Sequence, residues 1–167
     1  MFELKPISPG GIPAALQKAE RYRLLNEPTA AESICLDILE VEPGNQAALV
    51  MLLLARTDQF ADTKGAGLAK AKEVLPRLRD EYTRAYYAGV MYERHAKALL
   101  RAGRPGTSPM AYEAFRIAME HYERALAHRS GDNDEAALRW NTCARILNAS
   151  PHLAPRSEGR YEPVLDD

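Results

Sequence analysis

Cysteine and the larger aromatic residues are scarce in this chain of 167 residues. It contains two cysteines, one tryptophan and three phenylalanines. A single distant pair, Cys35 and Cys143, is too small for a disulfide scaffold or for a zinc site of its own. We therefore expect both cysteines to be reduced and to pack in the hydrophobic core.

The chain also lacks a membrane span and a secretory leader. Its longest apolar run, Ala47–Ala55, is nine residues long, whereas a spanning helix needs roughly 20. The segment Met1–Lys5 does not begin the basic-then-apolar pattern of a signal peptide. These features predict a cytoplasmic protein with no membrane partner.

An excess of charge of one sign is missing too. Lys and Arg number 22, Asp and Glu number 23, and the formal net charge is −1. Because nucleic-acid binding depends on a basic surface that neutralises phosphates, we expect no nucleic-acid partner. The charge is uneven along the chain, however. Residues 77–149 hold eleven Arg and one Lys against nine acidic residues, together with a cluster of tyrosines. Arg and Tyr are enriched at protein interfaces.

No motif typical of catalysis or metal binding is present. The sequence has no His-Glu-x-x-His or Glu-x-x-His pattern. The segment Gly103–Ser108 lacks the lysine of a phosphate-binding loop. His121 and His128 lie seven residues apart, about 10 Å along a helix, which is too far to share a metal without a third ligand between them. We expect no enzymatic activity, no metal and no cofactor.

The pattern along most of the chain is helical. Apolar residues recur at intervals of three and four, and Gly, Pro and Asn clusters separate the segments. Short connections favour antiparallel neighbours. The seven predicted helices cover about 13–25, a segment ending before Pro43, 46–60, 68–78, 80–102, 108–129 and 132–148. Pro76 predicts a kink or an early end in the fourth helix, and Asp80 and Gly103 are the expected cap and stop of the fifth. Ser108 is the expected N-cap of the sixth helix, and Asp132 with Glu135 predicts a capping box at the start of the seventh.

These helices predict three parts of the chain. Residues 1–11 form an extended N-terminal segment, residues 12–149 form the helical domain, and residues 150–167 form a flexible tail or a docked arm. The third helix is apolar all round, which indicates burial on every side. Either Val50 and Leu54 line an apolar pocket, or another segment covers them: Phe2, Leu4 and Ile7, or a second copy of the chain.

Small and large residues recur with a fixed spacing in this helical pattern. The first hairpin carries Ala19 and Tyr22, followed by Ala31, Cys35, Ile38 and Pro43. Later segments repeat the spacing with Gly89, Tyr92, Ala118, Tyr122 and Ala125. The spacing resembles that of the tetratricopeptide repeat (TPR) family. This resemblance implies an all-α, right-handed stack of antiparallel helical hairpins, a TPR-like superhelix of about seven helices.

The resemblance also implies a groove lined by the first helix of each hairpin. The corresponding residues are Val50, Leu54 and Asp58 on the third helix and Tyr86, Val90, Arg94 and Lys97 on the fifth. Such a groove suits a peptide with an acidic group or a C-terminal carboxylate. Apolar Leu54 or Val90 stands where some family members have the asparagine of a chaperone-tail clamp, so that ligand is disfavoured.

The function predicted from these features is that of a non-catalytic adaptor or scaffold that binds a protein or peptide. Two alternatives stay open. The chain is a structural homo-oligomer, such as a homodimer, if the apolar third helix or a terminal segment is buried between copies. It is a secretion-type chaperone if it holds an unfolded client.

Overall fold

The computed structural model describes residues 2–61 and 66–155, and within these ranges it contains seven α-helices and no strand. The predicted all-α class and the number of helices are confirmed. No helix in the described ranges combines the length and the apolar character that crossing a bilayer requires. The helices are α1 (Ile12–Leu24), α2 (Pro28–Val41), α3 (Gln46–Asp58), α4 (Ala66–Lys72), α5 (Glu81–Ala102), α6 (Thr107–Ala127) and α7 (Glu135–Ala149).

Helix ends with a strong local signal lie where the sequence predicts them. The Asp80 carboxylate accepts a hydrogen bond from the Thr83 backbone N–H at 2.7 Å and caps α5. At the other end of α5, Gly103 has a φ of 58°, the left-handed conformation that glycine adopts without steric cost. Pro76 lies in a 3₁₀ turn, Leu75–Arg77, and α4 has already ended at Lys72.

The starts of α6 and α7 differ from the prediction. Ser108 is not the N-cap of α6, because the helix already begins at Thr107, after Gly106 with a φ of 83°. The Thr107 hydroxyl donates to the Arg104 carbonyl at 2.7 Å and closes this turn. The prediction that Asp132 and Glu135 form a capping box is also wrong. The Asn133 side chain, at 3.1 Å, accepts the hydrogen bond from the Glu135 backbone N–H instead.

The helices pack mainly on their neighbours along the chain. The pairs α1–α2, α2–α3, α5–α6 and α6–α7 form extensive contacts, and α1–α3 and α3–α5 also touch. The core has two clusters. One is built from α1 to α4 together with Met91 of α5, and the other from α5, α6 and α7. Helix α5 therefore joins the two halves of the molecule.

The small residues of the repeat pattern lie inside this packing. Ala19, Ala31 and Ala118 are fully buried, and Gly89 is buried as well. A Cβ atom on Gly89 would lie 2.5 Å from the Cε1 atom of Tyr122. The α5 backbone therefore lies directly against the Tyr122 ring of α6, an approach that only glycine permits.

The cover over the apolar α3 comes from other helices. Phe2 and Leu4 are 101% and 88% exposed, so the expectation that they cover α3 is wrong, although Ile7 packs against the first core cluster. Contacts with α1, α2, α4 and α5 bury α3 instead. After α7, the buried side chain of Leu153 lies in a 3₁₀ turn that packs on α6 and α7. The rest of the predicted tail, residues 156–167, lies outside the described residues.

Candidate functional site

Two predicted groove residues, Arg94 and Asp58, meet in an ion pair between α5 and α3. The Arg94 Nη1 atom donates to the Asp58 carboxylate and to the Thr57 hydroxyl, the latter at 2.8 Å. It also lies 3.4 Å from the carbonyl oxygen of Leu54. From α1, Arg23 Nε donates to the other oxygen of Asp58 at 2.7 Å. One carboxylate is therefore shared by two guanidinium groups and links three helices.

A second carboxylate, that of Glu93 on α5, is shared in the same way at greater depth. The Glu93 side chain is 1% exposed. It accepts hydrogen bonds from the Tyr122 hydroxyl at 2.6 Å, from Arg139 Nη1 at 3.2 Å, and from the Lys97 ammonium group. Burial acts to raise the pKa of Glu93, but the hydrogen bonds from Lys97 and Tyr122 outweigh it and hold the pKa below its usual value.

Tyr86 connects this group to the start of α7. Its hydroxyl donates to the Glu135 carboxylate at 2.9 Å and accepts from Arg139 Nε at 3.2 Å. Burial raises the pKa of Tyr86 to about 12, so the phenol keeps its proton at neutral pH. The Tyr86 hydroxyl thus holds the Arg139 guanidinium in position by a hydrogen bond.

The four cations around these two carboxylates form one surface, which we call the basic face: Arg23, Arg94, Lys97 and Arg139. Their side chains are between 16% and 38% exposed, so each is partly open to solvent. Burial lowers the pKa of Arg94, the Asp58 carboxylate opposes that effect, and the charges of Arg23 and Arg139 lower it further. The positive charges are therefore close enough to act on one another.

The other predicted groove residues lie at different depths. Val50 and Leu54 are half-buried, one against each core cluster. Val90 is 1% exposed and Tyr86 is 9% exposed, so both lie within the second cluster. Arg94 and Lys97 belong to the basic face.

Sequence reasoning missed three participants: Arg23, Glu93 and Arg139. The spacing of Glu93 and Lys97 is typical of an exposed pair on one helix face, as is that of Glu135 and Arg139. The signal for burial was Gly89, four residues before Glu93, because positions four apart share a helix face. No local signal indicated that Arg139 bonds Glu93 in place of Glu135.

The cysteines and histidines take no part in the basic face. Burial raises the pKa of both Cys35 and Cys143 to about 12, so both thiols are protonated at neutral pH. The His121 ring stacks on Tyr92 with centroids 5.6 Å apart, and His128 Nδ1 lies 3.1 Å from a Glu81 oxygen. Across residues 2–61 and 66–155, no three His, Cys, Asp or Glu side chains converge where they could hold a metal ion.

The chemistry available on the basic face is anion binding. Guanidinium and ammonium groups stay charged at neutral pH and donate several hydrogen bonds each. Such donors hold carboxylates and phosphates, with guanidinium often making two parallel bonds.

Comparison of the chain with protein-family models, with curated proteins and with solved structures gave no match in any of the three.

Proposed function

We propose that this chain is a non-catalytic helical-repeat adaptor that binds an acidic segment of a protein partner on the basic face. The buried small residues Ala19, Ala31, Gly89 and Ala118 support the TPR-like interpretation. So do the contacts of α1 with α3 and of α3 with α5, because stacked hairpins place their first helices side by side along one surface.

The observation that carries the proposal is the balance of charge on the basic face. Four cations from α1, α5 and α7 share the carboxylates of Asp58 and Glu93. With the Glu135 carboxylate, which Tyr86 links to Arg139, counted as well, one positive charge is left over within this group. A surplus held on rigid helices attracts an acidic ligand and orients it on approach.

The predicted groove residues then have different roles. Arg94 and Lys97 contact the acidic groups of the ligand, and the half-buried Val50 and Leu54 supply apolar contact beside them. Val90 and Tyr86 support these side chains from within the core. Substitution of Tyr86 by alanine therefore tests packing. Substitution of Lys97 or Arg94 tests binding and also removes an ion-pair partner of Glu93 or Asp58, so stability is measured beside affinity.

Fluorescence anisotropy with a labelled ten-residue peptide rich in glutamate tests the proposal. We expect it to bind more tightly than the same peptide with glutamine in place of glutamate, and more weakly as salt is added. Lys97→Gln or Arg94→Gln should each weaken binding about tenfold, equivalent to about 1.4 kcal/mol.

The matched control is Arg145→Gln, which removes an exposed arginine from α7. It should leave the affinity unchanged, and thermal unfolding should show that all three variants are folded. Equal affinity for the glutamate and glutamine peptides would contradict the proposal. So would unchanged binding in both Lys97→Gln and Arg94→Gln.

A further inference from the structure

A cavity of about 520 Å³ lies between the end of α3, α4, the second half of α5 and the start of α6. Its volume is within the range of sites that hold small molecules. Most of its lining is apolar, with the side chains of Phe60, Leu68, Ala98, Leu99, Ala102 and Met110.

The cavity lies where the end of α5 and the start of α6 meet α4. Among residues 2–61 and 66–155, apolar side chains in this region stay open to solvent. Met110, for example, is 56% exposed. A second hollow of about 430 Å³ shares Leu68, His95 and Met110 with the first and continues it towards Tyr92 and Ile117.

The charged residues of the cavity are segregated. Arg101 and Arg104 line one end and are exposed to solvent. Neither forms an ion pair with a carboxylate in the described part of the chain. The acidic residue Glu113 lines the opposite end, in the second hollow. An anionic group is therefore favoured beside the arginines and disfavoured beside Glu113.

His95 stands in the wall that both hollows share. Its ring meets the edge of Phe60 with centroids 5.8 Å apart. Burial lowers the pKa of His95, and the positive charge of Lys72 lowers it further. The imidazole is therefore neutral at pH 7, and the cation nearest to it is Lys72, whose Nζ atom lies 5.1 Å from the centre of the Tyr92 ring.

We propose that this arginine-rimmed cavity binds an amphipathic anion, a medium-chain alkyl carboxylate. The alkyl chain packs against Leu99 and Met110, and the carboxylate binds Arg101 and Arg104 at the mouth. Apolar burial supplies the affinity, and the two guanidinium groups select the anionic head. Arg101 lies one helical turn from Lys97, so the mouth of the cavity adjoins the basic face, but the proposal does not depend on the function proposed there.

Calorimetric titration of the whole chain with decanoate, decanol and decyltrimethylammonium tests the proposal. The three probes share a ten-carbon chain and differ in the charge of the head group. We expect saturable binding of decanoate, about tenfold weaker binding of decanol, and weaker binding again of the cation, since one charged contact is equivalent to about tenfold in affinity.

Variants at exposed positions locate the site without disturbing the core. The double variant Arg101→Glu and Arg104→Glu should weaken the binding of decanoate at least about tenfold and leave the binding of decanol unchanged. Met110→Asp should weaken the binding of both probes, because it places a charge against the alkyl chain. Two controls on α7, Arg145→Glu and Leu138→Asp, change an exposed arginine and a leucine that is 63% exposed, and should change neither affinity.

Three results would overturn the proposal: no saturable binding of decanoate, equal affinity for decanoate and decanol, or unchanged decanoate binding in both the arginine double variant and Met110→Asp. The acidic-peptide assay gives an independent readout. Met110 lies on α6, outside the basic face, so Met110→Asp should leave peptide binding intact whichever result decanoate gives.

Discussion

At the scale of the residue, the contact between Gly89 and Tyr122 sets how closely α5 and α6 approach. Tyr122 is fully buried, and its hydroxyl donates to the buried Glu93 carboxylate at 2.6 Å. The ring cannot move away from Gly89 without losing that hydrogen bond. One glycine therefore supports both the packing of the second core cluster and the carboxylate beneath the basic face.

Gly89→Ala should lower the free energy of unfolding by up to about 2 kcal/mol. The new methyl group would lie 2.5–2.9 Å from three atoms of the Tyr122 ring, and overpacking of this kind costs more than the about 1 kcal/mol that alanine gains in a helix. Urea denaturation measures the change. Gly10→Ala is the matched control, because its Cβ would meet no atom within 4 Å. Equal stability of the two variants would contradict this account of Gly89.

At the scale of the element, α5 is the helix on which the molecule depends most. It is 22 residues long, contributes to both core clusters, and carries Glu93, Arg94 and Lys97. Asp80 begins it, with the carboxylate bonded to the backbone N–H and to the hydroxyl of Thr83, each at 2.7 Å. These bonds hold the pKa of Asp80 below its usual value.

Asp80→Ala should reduce the free energy of unfolding by about 1 kcal/mol, the usual effect of losing an N-cap. Asp80→Asn should be close to the unchanged chain, because asparagine is an equally good cap. Chemical denaturation of both variants checks the effect, with circular dichroism to follow helix content. If alanine and asparagine at position 80 have the same effect, the cap does not stabilise α5.

At the scale of the whole molecule, the titratable groups whose pKa values are lowered on folding act in one direction on the acid side. Burial lowers the pKa of His95 and of His121. The hydrogen bonds described above hold the pKa values of Glu93 and Asp80 below their usual values. In all four cases the unfolded chain binds protons more readily than the folded chain, so acid favours unfolding. Burial raises the pKa values of the two thiols, so these groups lower the free energy of unfolding as the pH rises into the alkaline range.

We therefore expect the free energy of unfolding to be highest between about pH 7 and pH 9. It should fall as the pH drops below the ordinary histidine pKa near 6.5, and again below the ordinary carboxyl values near 4. Above about pH 9 it should fall because Cys35 and Cys143 ionise in the unfolded chain first. Urea denaturation at pH 8, 5.5 and 3.5 measures the acid side.

The double variant His95→Gln and His121→Gln isolates the histidine contribution to this profile. It should reduce the loss of stability between pH 8 and pH 5.5 and leave the loss between pH 5.5 and pH 3.5 in place. A profile that is flat from pH 8 to pH 5.5 in the unchanged chain would contradict the assignment of both imidazoles as partly buried, neutral groups.

Local sequence was sufficient for the helices and for the residues at which they pack. The cap at Asp80, the stop at Gly103 and the break before Pro76 depend on backbone groups only a few residues away. The buried positions of Ala19, Ala31, Gly89 and Ala118 follow from periodicity, since residues three and four apart share a helix face. The start of α7 was missed because Asn133 and Asp132 can both accept from the Glu135 N–H, and the start of α6 because Gly106, with a positive φ, precedes the helix in place of a side-chain cap.

The partners of the charged side chains were decided only when the helices packed. Glu93 has Lys97 one turn away, but its burial comes from Tyr122 on α6 and Arg139 on α7, 29 and 46 residues further along the chain. Asp58 likewise bonds Arg23 and Arg94, 35 and 36 residues away. An ion pair depends on distance in space, whereas helix formation depends on neighbours in sequence. For that reason the arrangement of the basic face required the tertiary structure, and so did the cavity between α4, α5 and α6.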